Sequence, residues 1–305
     1  KEVIQTAYEE VTEQDSDRIV QTVASGDVVV LALGEPELWS GEAGSRSVIE
    51  LPEHQISLLK KLHEHQIPVV VLLFNGRPLD LRKVKEYADA VLEMWFPGTE
   101  GGNAVAALLY GEKNPSGKLA MSFPYGSGQI PVSYDMAPTG RPKADLMQEP
   151  RYKSQYLDIP NEPLYSFGYG LSYTSFKYKK LECPSEVQIG DTLNVKVEVS
   201  NTGKFAGEEV VQLYLSHKAI AQEAPLCQLV RFKKVNLNPG ENKVVEFKLS
   251  ARDLAYVDET GGIGTVPGTI TVYAGNVCPS APKRFTSKIL SESIGLKGIP
   301  KYFLY

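Results

Sequence analysis

The sequence predicts an α/β domain with a parallel sheet, followed by an all-β sandwich. Three observations carry this prediction. Over residues 1–125, apolar runs of strand length alternate with amphipathic stretches of helical period, as in a βαβ series. Residues 126–172 are rich in Pro, Gly and Tyr with no sustained period, which reads as an ordered linker. Residues 173–305 then change to short segments of inward and outward alternation separated by turn signals.

In chain order, residues 14–24 read as an amphipathic helix closed by Ser25-Gly26. Residues 27–33, Asp-Val-Val-Val-Leu-Ala-Leu, suit a parallel strand buried on both faces. A polar, Gly-rich loop covers 34–50, and Pro52 sits in the first turn of a helix running to about Gln66. Residues 68–74 form a second strand and 88–95 a third, residues 99–110 a helix stopped by Gly111, and residues 119–123 a last short strand. Open α/β sheets usually have about five or six strands. Residues 1–13 offer no convincing first strand, so part of this domain is expected upstream of Lys1, and the sheet to be a partial one. In the C-terminal part, residues 193–199, 211–215, 245–249 and 269–273 alternate as strands between turns such as Asn201-Thr202-Gly203 and Asn238-Pro239-Gly240. The pattern is that of an immunoglobulin-like or fibronectin type III-like sandwich.

A formal net charge of -5 gives no basic field for nucleic acid or anionic lipid, and no apolar run reaches membrane-spanning length. Cys183, Cys227 and Cys278 are odd in number and widely spaced, which fits neither a disulfide framework nor a zinc site and favours a reducing, cytoplasmic compartment. His63 and His65, two apart on a helix, do not share a face as metal ligands would, and solvent exposure explains them and His54. Asn114-Pro115-Ser116-Gly117-Lys118 lacks the glycine spacing and the Ser or Thr of a phosphate loop. No cofactor or metal is expected.

Ligands of open parallel sheets bind beyond the carboxyl ends of the strands. The loop there reads Gly34-Glu35-Pro36-Glu37-Leu38-Trp39-Ser40-Gly41-Glu42-Ala43-Gly44-Ser45-Arg46. A carboxylic acid can protonate a leaving oxygen, and a neighbouring indole can stack on a sugar ring or desolvate the acid. Arg46 could orient a carboxylate or bind a hydroxyl. From periodicity alone, solvated loop charges and a packing Trp39 explain the loop better.

That string, continuing through Leu51-Pro52, resembles the acid/base loop of glycoside hydrolase family 3. In the same order, Asn75-Gly76-Arg77-Pro78-Leu79, Trp95-Phe96-Pro97-Gly98, Asn114-Pro115-Ser116-Gly117-Lys118, Ser122-Phe123-Pro124, Gln129-Ile130-Pro131-Val132, Gly140-Arg141-Pro142 and Tyr165-Ser166-Phe167-Gly168-Tyr169-Gly170 resemble that family. Asn201-Thr202-Gly203 and Asn238-Pro239-Gly240 are similar to its fibronectin-like domain. The resemblance implies an α/β sandwich and a fibronectin type III-like domain without the N-terminal (β/α)8 barrel. It implies a retaining exo-β-glycosidase acting on β-glucosides or short oligosaccharides, with β-xylosides second. Glu42 takes the acid/base position, and the nucleophilic aspartate belongs to a Ser-Asp-Trp-like motif of the barrel, which is not found here. Retaining chemistry needs two carboxylates about 5–5.5 Å apart, so the chain alone is expected to be inactive. Trp39 becomes a candidate wall of the leaving-group subsite, and Arg46 and Ser45 its supports. Glu35 ranks below Glu42, since it directly follows the strand and could as easily fix the loop. Residues 152–156 can lie near the cleft, with Gln155 where many relatives have Arg. The implied partners are the substrate and the barrel, with oligomerisation left open. The rival reading is a non-catalytic carbohydrate-binding or structural module.

Overall fold

The computed structural model describes residues 11–137, 139, 152–217, 219–221, 224–258, 260–286 and 289–304. The chain divides into two compact units, residues 1–106 with 123–131, and residues 107–122 with 132–305.

The first unit opens with α1 (Glu13–Thr22), started by a capping box in which Thr12 and Asp15 each bond the other's backbone N–H. There follow β1 (Val29–Gly34), α2 (Glu53–Glu64), β2 (Val69–Phe74), α3 (Arg82–Tyr87) and β3 (Ala90–Glu93). The last helix, α4 (Gly101–Leu109), crosses the division between the units. The three strands form a parallel sheet in the order β1-β2-β3, as the apolar runs predict. Helix α3 has no counterpart in the sequence reading. At six residues it is too short for a period to show, and Asp80 starts it by accepting from the backbone N–H and Nε of Arg82. Residues 119–123 do not form the expected strand. Leu119 instead exchanges backbone hydrogen bonds with Gly168 and Tyr169 at 2.7 and 2.8 Å.

One face of β2 is fully covered, through Val69, Val71 and Leu73, and the other is covered at Leu72 and half-covered at Val70 and Phe74; its neighbours are more open. Val30 of β1 is 45% exposed and Val91 of β3 is 37% exposed. At the outer edge of β1, the Gln55 side chain accepts from the Gly34 N–H and donates to the Gly34 carbonyl, both at 3.0 Å. Gly34 is required there, because a Cβ would lie 2.0 Å from the Phe74 carbonyl oxygen.

The second unit is an antiparallel sandwich. One sheet contains β4 (Phe176–Glu182), β6 (Leu193–Asn201) and β9 (Asn242–Leu249), and the other has β5 (Glu186–Gln188), β7 (Gly207–Ser216), β8 (Gln228–Leu237), β12 (Gly268–Gly275) and β13 (Leu290–Lys297). The second runs β5-β13-β12-β7-β8, with β5 parallel to β13. A small third sheet joins β10 (Tyr256–Val257), β11 (Ile263–Thr265) and β14 (Lys301–Phe303). Period two is explicit in β6, where Val195, Val197 and Val199 are buried against Leu213, Leu215 and Val272 while Asn194 and Lys196 face solvent. Asn201 shows why its turn needs these residues: its amide donates to the Phe205 and Leu237 carbonyls and accepts from Gly203 N and the Thr174 hydroxyl. Asn114 does similar work, donating to the Ala206 carbonyl and accepting from Ser172 and Tyr173. Lys118, from the stretch that fails as a phosphate loop, pairs with buried Glu209 at 3.3 Å and donates to the Gly170 carbonyl. Gly140-Arg141-Pro142 lies outside the described residues.

The odd cysteine count predicts no bridge, yet the fold brings the buried Sγ atoms of Cys227 and Cys278 to 3.1 Å. Spacing along the chain could not show this, because the two residues stand beside different strands.

Candidate active site

Three strands ending side by side place three short segments at one edge of the parallel sheet: Glu35 after β1, residues 75–77 after β2, and residues 93–95 around the end of β3. Glu35 organises them. Its carboxylate, 1% exposed, accepts from Arg46 Nη1 at 2.8 Å and is ion-paired with Arg77 Nε at 3.3 Å. The Gly76 N–H lies 3.5 Å from its other oxygen. A buried carboxylate is tolerated only with such compensation.

Arg46 is therefore spent on the loop itself. Its Nη2 donates to the Glu50 carbonyl at 3.0 Å, and the guanidinium stacks over the Trp39 ring at 4.1 Å from the centroid. Arg77 donates from Nη2 to the Trp39 carbonyl, so the turn Glu37–Trp39 is held from both sides. Trp39 remains 37% exposed.

Glu42 stands at the loop tip, exposed, and among the described residues it makes no hydrogen bond or ion pair. Ala43 beside it adopts φ 61°, a left-handed conformation uncommon outside glycine. Ser45 is likewise exposed. The structure thus brings Arg46 and Trp39 together with Glu35, and leaves Glu42 and Ser45 projecting from the platform they build. Residues 152–156 lie in the second unit, where Asn161 closes their loop by accepting from Tyr156 N and donating to the Ser154 carbonyl. His63 is exposed and stands against Tyr87, while His54 is half-buried.

Sequence reasoning missed two contributors. One is Arg77, quoted only as part of a motif. The other is Glu93, whose Oε1 accepts from the Trp95 N–H at 3.0 Å and so supports Trp95 at φ 49°. Burial pushes the Glu93 carboxyl up to about 7, against the lowering effect of the Trp95 N–H and its neighbour Asn75. Glu93 Oε2 and Asn75 Oδ1 are both buried acceptors without a donor. The signal for both residues was position, since each follows or ends an apolar run at the edge that carries Glu35.

Residues 1–173 match the glycosyl hydrolase family 3 C-terminal domain, and residues 209–277 a fibronectin type III-like domain. The chain belongs to glycoside hydrolase family 3. It is 43% identical over 260 residues to the periplasmic β-glucosidase of Salmonella typhimurium, and 38% identical over 262 residues to a β-xylosidase of Formosa agariphila. Those alignments take in 85% and 84% of this chain and 34% of each relative, so the chain spans about a third of the length of these family 3 proteins. A crystal structure of a mutant β-glucosidase from Listeria innocua in complex with laminaribiose superposes with a TM-score of 0.89 at 43% identity. It covers 97% of this chain and 40% of that one. Family membership agrees with the α/β plus β-sandwich architecture read from the sequence.

Proposed function

We propose that this chain supplies the acid/base half of a retaining exo-β-glycosidase that releases terminal glucosyl residues from β-glucosides or short oligosaccharides, with Glu42 as the acid/base. The observation that carries the reading is the contrast among the loop's carboxylates, of which Glu35 is enclosed while Glu37 and Glu42 are exposed, with the family resemblance placing Glu42 at the acid/base position. Glu35 is buried and consumed by Arg46 and Arg77, whereas Glu42 is exposed and unengaged among the described residues. A proton-transfer group must face the substrate, and a loop-fixing group must not.

In this mechanism a nucleophilic aspartate on a barrel domain attacks the anomeric carbon while Glu42 protonates the departing glycosidic oxygen. Glu42 then takes a proton from water as the glycosyl-enzyme is hydrolysed. Trp39, held by the Arg46 stack and partly exposed, is the candidate wall of the leaving-group subsite. Ser45, exposed in the same loop, is the candidate partner of a substrate hydroxyl. The similarity to β-glucosidases supports a glucoside as first choice, and the similarity to a β-xylosidase keeps β-xylosides second.

The test uses the full-length protein containing this chain. In it, Glu42→Ala is expected to lower turnover of a poor leaving group by about 10²–10⁴-fold, the usual contribution of general acid–base catalysis. Turnover of an activated aryl β-glucoside should fall less at the glycosylation step, and azide should restore part of the rate. Unchanged turnover removes Glu42 from the role. Hydrolysis of an aryl β-glucoside by the 305-residue chain alone would overturn the need for an outside carboxylate.

A further inference from the structure

Cys227 and Cys278 take no part in the chemistry above, yet the fold buries them side by side in the second unit. Cys227 immediately precedes β8, and Cys278 lies three residues beyond the end of β12. These two strands flank β7 on opposite sides and do not pair with each other. Both thiols are buried, at 1% and 0% exposure, in a pocket with Tyr214, Tyr134 and Phe167. Their Sγ atoms lie 3.1 Å apart, and Ser280 Oγ is 3.0 Å from Cys278 Sγ. Cys183 packs against the main core of the sandwich instead.

We propose that Cys227 and Cys278 are a disulfide-forming site, whose cross-link ties β8 to the segment after β12 across β7. Closing the bond from 3.1 Å needs the sulfurs to approach by about 1 Å, which side-chain rotation supplies. With a small disulfide as oxidant, the thiolate of one of the two cysteines forms a mixed disulfide and expels one thiolate. The other then attacks that protein sulfur and expels the second. The two protein thiols give up two electrons and two protons, and the oxidant leaves as two thiols. Burial excludes the oxidant from the packed unit, so the reaction belongs to the folding chain or to local opening, and the finished bond is sheltered from reductant.

The experiment refolds the protein from denaturant with oxidised and reduced glutathione, alkylates it in denaturant and digests it without reductant for mass spectrometry. The expected product is a peptide pair joined through Cys227 and Cys278, about 2 Da below the sum of its parts, with Cys183 alkylated. The bridge should raise Tm by about 5–10 °C, given the length of chain it closes. Cys183→Ser should keep that rise, and Cys227→Ser should lose it. Full alkylation of both cysteines, pairing of either with Cys183, or their recovery as separate glutathione adducts would overturn the proposal. Because the peptide readout uses the unsubstituted protein, the outcome stands even if Cys227→Ser fails to fold.

Discussion

Arg46 reaches back along its own loop to Glu35, placing Nη1 2.8 Å from a carboxylate that is almost wholly removed from solvent. The loop is thereby closed on itself beneath Trp39, independently of any ligand. Its stiffness is intrinsic, and each of its supports can be tested separately.

Without Arg46, Glu35 keeps its ion pair with Arg77 but loses its shortest hydrogen bond, a loss of about 1.5–3 kcal/mol. Arg46→Ala is therefore expected to lower stability by about that amount, and Arg46→Lys by less, because Lys retains a charge but loses the fork and the stack over Trp39. Chemical denaturation of both variants checks this. Equal losses would mean that the charge alone contributes nothing and that the fork and the stack account for the whole effect.

Gly34→Ala places a methyl group 2.0 Å from a backbone oxygen of β2, where nothing can yield without moving a strand. The expected cost is at least about 3 kcal/mol, at the upper end for overpacking. Gly76→Ala meets the Ser40 hydroxyl at 2.0 Å and the edge of Phe96 at 3.0 Å, both of them side-chain atoms. It should cost less and report instead on the loop, through a change in Trp39 fluorescence. A larger stability loss for Gly76→Ala than for Gly34→Ala would contradict the assignment.

Glu93 predicts a pH dependence. Its folded-state carboxyl is raised to about 7 from a model-compound value of 4.5, so between these values the folded state holds a proton that the unfolded chain has released. The contribution is fully present below 4.5 and is lost as pH rises through about 7. Glu93→Gln keeps the shape without the titration. The difference in unfolding free energy between the two proteins should change across this window in the wild type's disfavour as pH rises. A constant difference would show that Glu93 titrates normally.

In the sandwich, Lys118 and Glu209 form a buried pair with Tyr178, whose hydroxyl lies 3.0 Å from the Glu209 carboxylate. Lys118→Met alone should destabilise by about 3 kcal/mol, and the double variant Lys118→Met/Glu209→Leu should recover a substantial part of that loss. Failure to recover would show that the pair sets the geometry of residues 114–118 as well as balancing charge.

Much of this architecture is legible in the sequence because periodicity reports burial. The apolar runs at 27–33 and 68–74 mark β1 and β2, and the alternation at 193–199 marks β6. What escapes the sequence depends on groups meeting across the fold. The run at 27–33 does not reveal that Val30 lies open, because exposure depends on what packs over it rather than on the strand itself. Composition makes Glu35, Glu37 and Glu42 equivalent loop charges. Only the fold shows that Glu35 is the one enclosed by two arginines. Cys227 and Cys278 likewise look unrelated until β7 is seen to separate their strands.

The clamp of Gln55 on Gly34 also sets a boundary for strand addition. Along β1 the backbone groups of residues 29 and 35 face β2, while those of Gly34 face the other way and are already taken by a side-chain amide. A helix residue thus occupies the last rung that a neighbouring strand would use. Any segment laid against this edge can pair only nearer its amino end, alongside Val28, Val30 and Ala32, and must stop short of the loop that carries Glu42.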